Sequence, residues 1–332
     1  MVTFMNKEIK WIQSITPSEI RQKAVKVGIG DDAAIIEQEK GMETVIAVDT
    51  MVEDIHFTKQ TMTLEAIGYK ALAVNISDLA AMGAIPLSYL VSIAIPKSGW
   101  TEKELSSIYV GMNRLGSRYN MDLIGGDTVS TNDKLVLTVT VIGQIEKDRR
   151  LLRTNAKVGD VFFVTGPLGS SAYGLEKLLE SGYRKLINAA KLKPFIKAHQ
   201  EPEPQIDGGR ILAGCPFRIA LNDVSDGLAS EAKEIAEASN VSIEIDWDKV
   251  PKLPLIETYP IEKQEEWVLY GGEDFQLVGT VNEVNWESLT NLFEKESLSI
   301  FNIGSVTQGN REVQVRNKDG MRLITKTGYD HL

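Results

Sequence analysis

The chain has 332 residues, 43% of them hydrophobic and 25% charged, and its 46 Asp and Glu outnumber 36 Lys and Arg for a formal charge of -10. That length exceeds what one hydrophobic core usually serves, so two domains are expected, and the acidic balance argues against nonspecific nucleic acid or an anionic membrane as partner, because both are held by basic clusters. Cys215 is the only cysteine, which excludes an intrachain disulfide, a cysteine-rich zinc site and a CxxC redox pair, and fits a reducing cytoplasm.

Along the chain, Met1 to Ile15 mixes Lys7, Glu8 and Lys10 with isolated apolar positions and carries no signal-peptide core. Leu87 to Pro96 is apolar but falls far short of the roughly 20 residues that cross a bilayer as helix. Strand-like runs are expected at Thr44–Asp49, Ser88–Ile95, Met121–Ile124 and Leu135–Ile145, with helical patterns at Leu64–Met82 and Glu102–Tyr119 between them. Thr63 is positioned to cap the first of these helices, and Gly83, with Pro86 just beyond, to end it.

A charged stretch from Glu146 to Asp160 then marks the domain boundary, giving domains at 1–148 and 149–332. Beyond it come a strand at Val161–Thr165, the turn Gly166-Pro167-Leu168-Gly169 and a helix. A strand near Ile219–Asn222 leads into a helix from Leu228, whose Leu228, Ala232, Ile235 and Ala236 share one face. Further strands are expected at Val241–Ile245 and Phe275–Thr280, so both halves read as mixed α/β.

Five acidic islands carry the chemistry: Gly28-Ile-Gly-Asp-Asp-Ala33, Val48-Asp-Thr50, Asn75-Ile-Ser-Asp78, Gly125-Gly-Asp-Thr128 and Asp223-Val-Ser-Asp-Gly227. Any one of them is also how a turn or a helix N-cap is written; Asp226 before Gly227 would serve as a cap, and Asp31 as a solvated turn residue beside a buried Asp32. Five together point to a shared site. Asp49, Asp127 and Asp223 each follow an apolar run and are expected to project from strand ends, where open α/β sheets place ligands. Gathered carboxylates repel one another unless a hard cation such as Mg²⁺ neutralises them. Gly28 to Ala33 matches G-x-G-x-x-G/A formally, but two acids would face a pyrophosphate, so a dinucleotide site is rejected; no Walker A loop and no EF-hand spacing occur.

The order of Gly28-Ile-Gly-Asp-Asp32, Asp49-Thr-Met-Val-Glu-Asp-Ile-His-Phe57, Lys70-Ala-Leu-Ala-Val-Asn-Ile-Ser-Asp-Leu-Ala-Ala-Met-Gly-Ala84, Leu123-Ile-Gly-Gly-Asp-Thr128, Val224-Ser-Asp-Gly-Leu228, Gly271-Gly-Glu-Asp-Phe275 and the terminal Gly328-Tyr-Asp-His-Leu332 resembles the thiamine-monophosphate kinases. These kinases are grouped with aminoimidazole-ribonucleotide synthetase, selenophosphate synthetase and a hydrogenase-maturation protein. The resemblance implies an N-terminal α/β domain forming a β-barrel across a homodimer, a C-terminal α/β domain, and ATP bound between the two. It implies Mg²⁺ held by Asp32, Asp49, Asp78, Asp127, Asp223 and Asp226, with the carbonyl of Val48 where many members carry a hydroxyl. ATP would meet Gly125, Gly126, Arg153 and Ser225, with Tyr109 on the adenine side. His56, Glu273, Lys326 and Tyr329 would line the thiamine monophosphate pocket, Lys326 standing where many members place tryptophan.

The reaction so implied is direct in-line transfer of the γ-phosphoryl group to the acceptor phosphate, with no residue assigned as acid or base. Two alternatives stay open from sequence. One is another ATP-using enzyme of the same superfamily, of which the two cysteine-dependent members would show a reactive terminal cysteine. The other is a noncatalytic protein that binds magnesium or nucleotide.

Overall fold

A computed structural model describes residues 7–30, 32–186, 188–326 and 328. The chain divides into two compact units, one of residues 1–75 and 86–144 and the other of 76–85 and 145–332. Residues 76–85 and 145–148, inside the stretch read from sequence as the first domain, therefore group with the second unit. Among the described residues no helix is long and apolar enough to cross a membrane.

In chain order the first part comprises α1 (Lys7–Ile15), β1 (Val25–Val27), β2 (Ile35–Ile36), β3 (Met42–Val52), α2 (Leu64–Ala81), β4 (Ile85–Pro96), α3 (Glu102–Arg118), β5 (Asp122–Thr131) and β6 (Val136–Glu146). β1 and β2 form a small antiparallel pair, and the main sheet has the order β3-β6-β4-β5. β6 alternates buried and half-buried positions along its whole length, with Leu137, Val139 and Val141 pointing into the core. β3 is an edge strand whose Ile46 and Val48 are 65% and 58% exposed, and Val129 on the opposite edge strand β5 is exposed as well.

α2 is buried nearly all round, through Ile67, Leu72, Ile76, Leu79 and its alanines, which explains its apolar sequence without a polar face. Thr63 Oγ1 accepts from Ala66 N at 3.1 Å, as its capping position requires. At the other end Ala84 N donates to Leu79 O at 2.8 Å and Gly83 N to Ala80 O at 2.9 Å, a Schellman closure with Gly83 at φ +74°. α3 opens on a capping box in which Thr101 and Glu104 exchange side-chain and backbone bonds.

The second part comprises β7 (Asp160–Val164), α4 (Ser170–Ser181), α5 (Tyr183–Leu186), α6 (Lys193–Gln200), α7 (Ile206–Gly214), β8 (Ile219–Asp223), α8 (Leu228–Ser239), β9 (Ser242–Asp246), α9 (Ile261–Leu269), β10 (Leu277–Asn282), α10 (Trp286–Lys295), β11 (Phe301–Thr307), β12 (Val313–Asn317) and β13 (Gly320–Leu323). Seven strands join in the order β13-β12-β9-β11-β7-β10-β8, all antiparallel neighbours except β9 and β12. β7 and β8 are buried at every position, and Phe162, Val164, Leu228, Ala232, Ile235, Trp267 and Val278 belong to one core.

Two strand boundaries depart from the sequence reading for a physical reason. β5 does not stop at Ile124 but runs through the glycine pair to Thr131, because its parallel pairing with β4 continues from Ser88 opposite Asp122 to Pro96 opposite Thr131. Gly126, at φ +155°, passes so close to β4 that a Cβ would lie 1.9 Å from Val91 O. Conversely β10 starts at Leu277 and not at Phe275, whose φ of +49° is incompatible with a strand.

Gly83→Ala is expected to destabilise the protein by at least about 1–2 kcal/mol, the cost of a left-handed non-glycine residue. A Cβ there would also lie 2.7 Å from the Ala213 Cβ. Urea unfolding of the variant beside wild type measures the loss, and equal midpoints would refute the Schellman assignment.

Candidate active site

The aspartates of the acidic islands fall into two groups, one in each unit. In the first unit Asp49 and Asp127 do not sit at strand ends as expected. They lie inside β3 and β5, because both strands continue past the carboxylate. Each is exposed, as is Asp32, where the sequence predicts a buried residue. Asp49 N donates to Asn75 Oδ1 at 2.9 Å, and the fully buried Asn75 is itself tied to Ala71 O through Nδ2 at 2.9 Å, so α2 fixes the strand at that aspartate. Asp127 Oδ1 accepts from Thr128 N at 2.9 Å.

Other residues assigned to this unit take plainer positions. His56 Nδ1 accepts from Val52 N at 3.0 Å, which sets its tautomer and binds it into the turn after β3. Tyr109, expected on the adenine side, is buried with its ring 5.6 Å from Trp11 and edge-on to it, a packing position between α1 and α3; burial pushes its phenol well above the usual range. The Val48 side chain is exposed on β3, and Gly125 and Gly126 lie in β5.

In the second unit the residues converge. Asp223 closes β8, and its Oδ2 accepts from the buried Ser77 at 2.6 Å, while the half-buried Asp78 lies one residue further along α2. After Asp223 the chain passes through Ser225 and Asp226 to Gly227, at φ +100°, and into α8. The Gly271–Phe275 loop runs beside it: Val224 N donates to Gln276 O at 2.8 Å, Phe275 N to Val224 O at 2.9 Å and Glu273 N to Ser225 O at 2.7 Å. A Cβ on Gly272 would lie 2.3 Å from Ser225 O, so this ladder requires glycine there.

Glu273 holds φ +66° and reaches His199, its Oε2 lying 3.3 Å from Nδ1; Ser171 Oγ is 3.2 Å from the same nitrogen. Asp274 turns inward, accepting from Gly169 N at 2.6 Å and Ser171 N at 3.0 Å at the start of α4. Burial pushes its carboxyl up to about 7 against the pull of those N–H groups. The C-terminal segment arrives at the same place. Gly328 N donates to Ser230 Oγ at 2.8 Å, a Cβ on Gly328 would lie 1.6 Å from Asp226 O, and Lys326 Nζ stands 4.7 Å from the centre of the Tyr270 ring. Tyr329 and Asp31 lie outside the described residues.

Arg153, in a short 3-10 turn, donates through Nε to Asn222 Oδ1 at 2.9 Å and pairs with Glu234 at 3.3 Å. Ser225 Oγ donates to Glu231 Oε1 at 3.3 Å. Burial first, and the charge of Asp223 second, push Glu231 well above the ordinary carboxylate range. The sequence reading missed Asn222, Glu231, His199, Asp274 and Tyr270. Asp274 and Tyr270 adjoin motif residues already singled out; the others carry no local signal, because their partners come from different elements. Among the described residues no three His, Cys, Asp or Glu side chains are gathered closely enough to enclose a metal ion by themselves.

The AIR synthase related protein N-terminal domain matches residues 30–145 and the C-terminal domain of the same family matches 157–316. The fold is thus that of an AIR synthase related protein. Within that class the chain is 51% identical over 326 residues to the thiamine-monophosphate kinase of Bacillus subtilis (strain 168), covering 98% of this chain and 99% of that one. The crystal structure of thiamine-monophosphate kinase from Stenotrophomonas maltophilia K279a superposes with a TM-score of 0.80 at 31% identity, over 92% of this chain and 95% of that one. AaThiL complexed with AMPPCP and TMP gives a TM-score of 0.77 at 30% identity over all of both chains. The chain belongs to the thiamine-monophosphate kinase family.

Because Asp274 titrates near 7 in the fold and near 3.8 when unfolded, the folded state binds more protons between those values. Its contribution to stability is therefore fully present below about pH 3.8 and is lost as pH rises through about 7. Melting wild type and Asp274→Asn across that window should show the wild type losing ground to the variant as pH rises; a constant difference would mean the carboxylate does not take up a proton on folding.

Proposed function

We propose that this chain phosphorylates thiamine monophosphate to thiamine diphosphate, using ATP and releasing ADP. The observation that carries this reading is the 51% identity to a thiamine-monophosphate kinase along 98% of the chain. The AaThiL structure with an ATP analogue and TMP supports the same pair of substrates.

In the first unit Asp32, Asp49, Asp127 and the carbonyl of Val48 are the candidate magnesium ligands, and in the second Asp78, Asp223 and Asp226. This donor set is oxygen throughout, without a thiolate or imidazole, and suits a hard cation. Magnesium, when bound, neutralises the charge that donor and acceptor phosphates bring together. The protein's own tasks are binding and orientation. Arg153 offers a half-exposed guanidinium to a phosphate oxygen, Ser225 a hydroxyl, and Gly125 and Gly126 a strand without side chains against the nucleotide. An acceptor phosphate is already ionised near neutral pH, so its oxygen needs no general base and no phosphoenzyme forms.

On the acceptor side Glu273 is fixed through His199 and the glycine pair, with His56 in the first unit and Tyr329 as further pocket residues. Lys326 lies on the Tyr270 ring, so an aromatic face is present near the position where many family members carry tryptophan. The 1–148 domain would carry dimerisation and bind ATP and metal, apart from residues 76–85 and 145–148, which group with the second unit. A homodimer is supported by edge strand β3, whose exposed Ile46 and Val48 present apolar side chains that a second copy would cover. A cytoplasmic setting fits Cys215, which is buried with its thiol pushed up to about 11.

Incubation of purified protein with magnesium-ATP and thiamine monophosphate, thiamine or no acceptor is expected to give ADP matched by thiamine diphosphate with the monophosphate alone. Asp127→Asn should lower kcat by about 100-fold or more. Magnesium-dependent ATP binding without product would sink the kinase reading. For the dimer, Ile46→Lys should yield a monomer by light scattering, and an unchanged mass would remove β3 from the interface.

A further inference from the structure

Arg153 and the Ser225–Asp226 pair belong to different loops of the second unit, yet transfer of a phosphoryl group demands that they be fixed relative to one another to well under an ångström. The link between them is buried. Asn222, 2% exposed at the end of β8, accepts from Arg153 Nε through Oδ1 at 2.9 Å and donates through Nδ2 to Glu231 Oε2 and, at 3.1 Å, to Glu234 Oε2. Glu231, also 2% exposed, uses its other oxygen to accept from Asp226 N at 2.9 Å and Ser225 Oγ at 3.3 Å. An unbroken hydrogen-bonded path therefore runs from the guanidinium through an amide and a carboxylate to the acidic loop.

The chemistry of the path is directional. Asn222 must accept on one side and donate on the other, which a carboxylate cannot do, and Glu231 must accept on both of its oxygens. Burying such a pair is costly unless every polar atom is satisfied, and a leucine pair of similar volume would fill the same space without that demand. The pair is thus poorly explained by packing alone. We propose that Asn222 and Glu231 are positioning residues for phosphoryl transfer, a buried relay that sets Arg153 and the Ser225–Asp226 loop as one unit. This rests on the kinase reading above.

Two substitutions of equal volume each break the relay. Glu231→Gln places an amide nitrogen against Asn222 Nδ2, and Asn222→Asp places a carboxylate oxygen against Glu231. Together they restore the central bond with its polarity reversed, the side chain at 231 donating to the one at 222, which still accepts from Arg153, while the bond to Glu234 becomes a contact between two carboxylates. With thiamine monophosphate as acceptor, at a temperature where melting curves show every variant folded, each single change is expected to lower kcat by about 10–100-fold, and N222D/E231Q to recover part of the loss. In an Arg153→Lys background, E231Q should cost less than about 2-fold further, because the far end of the relay is already broken.

A merely structural pair would lower melting temperatures without this pattern in kcat. Singles as active as wild type, or a double variant no better than the worse single, would overturn the relay while leaving the kinase reading intact. Should Asn222→Asp alone fail to fold, the Arg153→Lys comparison decides; should Glu231→Gln alone fail, the double variant against Asn222→Asp decides. A wild-type protein that makes no thiamine diphosphate would instead refute the kinase reading, and the inference with it.

Discussion

Asp274 joins the N-terminus of α4 to the Gly271–Phe275 loop, and the conformation of that loop depends on the tie. Its two oxygens take the N–H groups of Gly169 and Ser171 that α4 cannot satisfy internally. The residues on either side, Glu273 and Phe275, both hold positive φ, each a strain of about 1–3 kcal/mol. What offsets it is the backbone ladder to Val224 and Ser225 together with the two N–H bonds that Asp274 accepts. With the backbone so constrained, the Glu273 side chain has one direction to take, toward His199.

Local signals in the sequence located most elements because local chemistry makes them. The capping Thr63 and the terminating Gly83 of α2 act within one turn of their own position, so their roles are legible from neighbours alone. Strand limits depend on a partner strand. The glycine pair at 125–126 reads as a break, and only the proximity of Val91 explains why the strand continues and why Gly126 must be glycine. The placement of Asp49 and Asp127 within their strands follows from the same cause. Glu273 was legible through its two preceding glycines, whereas the Asn222–Glu231 contact joins a strand end to a helix turn across Gly227 and leaves no periodic trace. Tyr109 shows the limit in the other direction, since an aromatic residue on a helix looks alike whether it meets a base or Trp11.

The acidic excess of the chain is put to two distinct uses. Asp122 is buried and takes the backbone N–H groups of Arg21 and Gln22 at 2.9 and 2.7 Å, and Asp160 is buried against Arg218, Thr280 and the backbone of Lys157. These carboxylates are committed to the fold. Asp32, Asp49 and Asp127 are exposed, at positions where a folding role would call for burial among donors. The same residue type is thus buried among donors in one place and exposed in another, a difference that depends on partners distant in sequence.

The 18-residue helix α2 passes from one compact unit into the other after Asn75. Asn75 anchors Asp49 in the first unit, and two residues later Ser77 anchors Asp223 in the second. The units are consequently interleaved in sequence and not merely strung together. A gene fragment starting after the charged linker would lack the segment against which Gly209 packs, where a Cβ would meet Ala80 O at 2.3 Å. Recombination between family members at that linker would then pair each C-terminal half with a foreign end of α2, so exchange of whole halves is constrained by a single helical turn lying far upstream of the apparent seam.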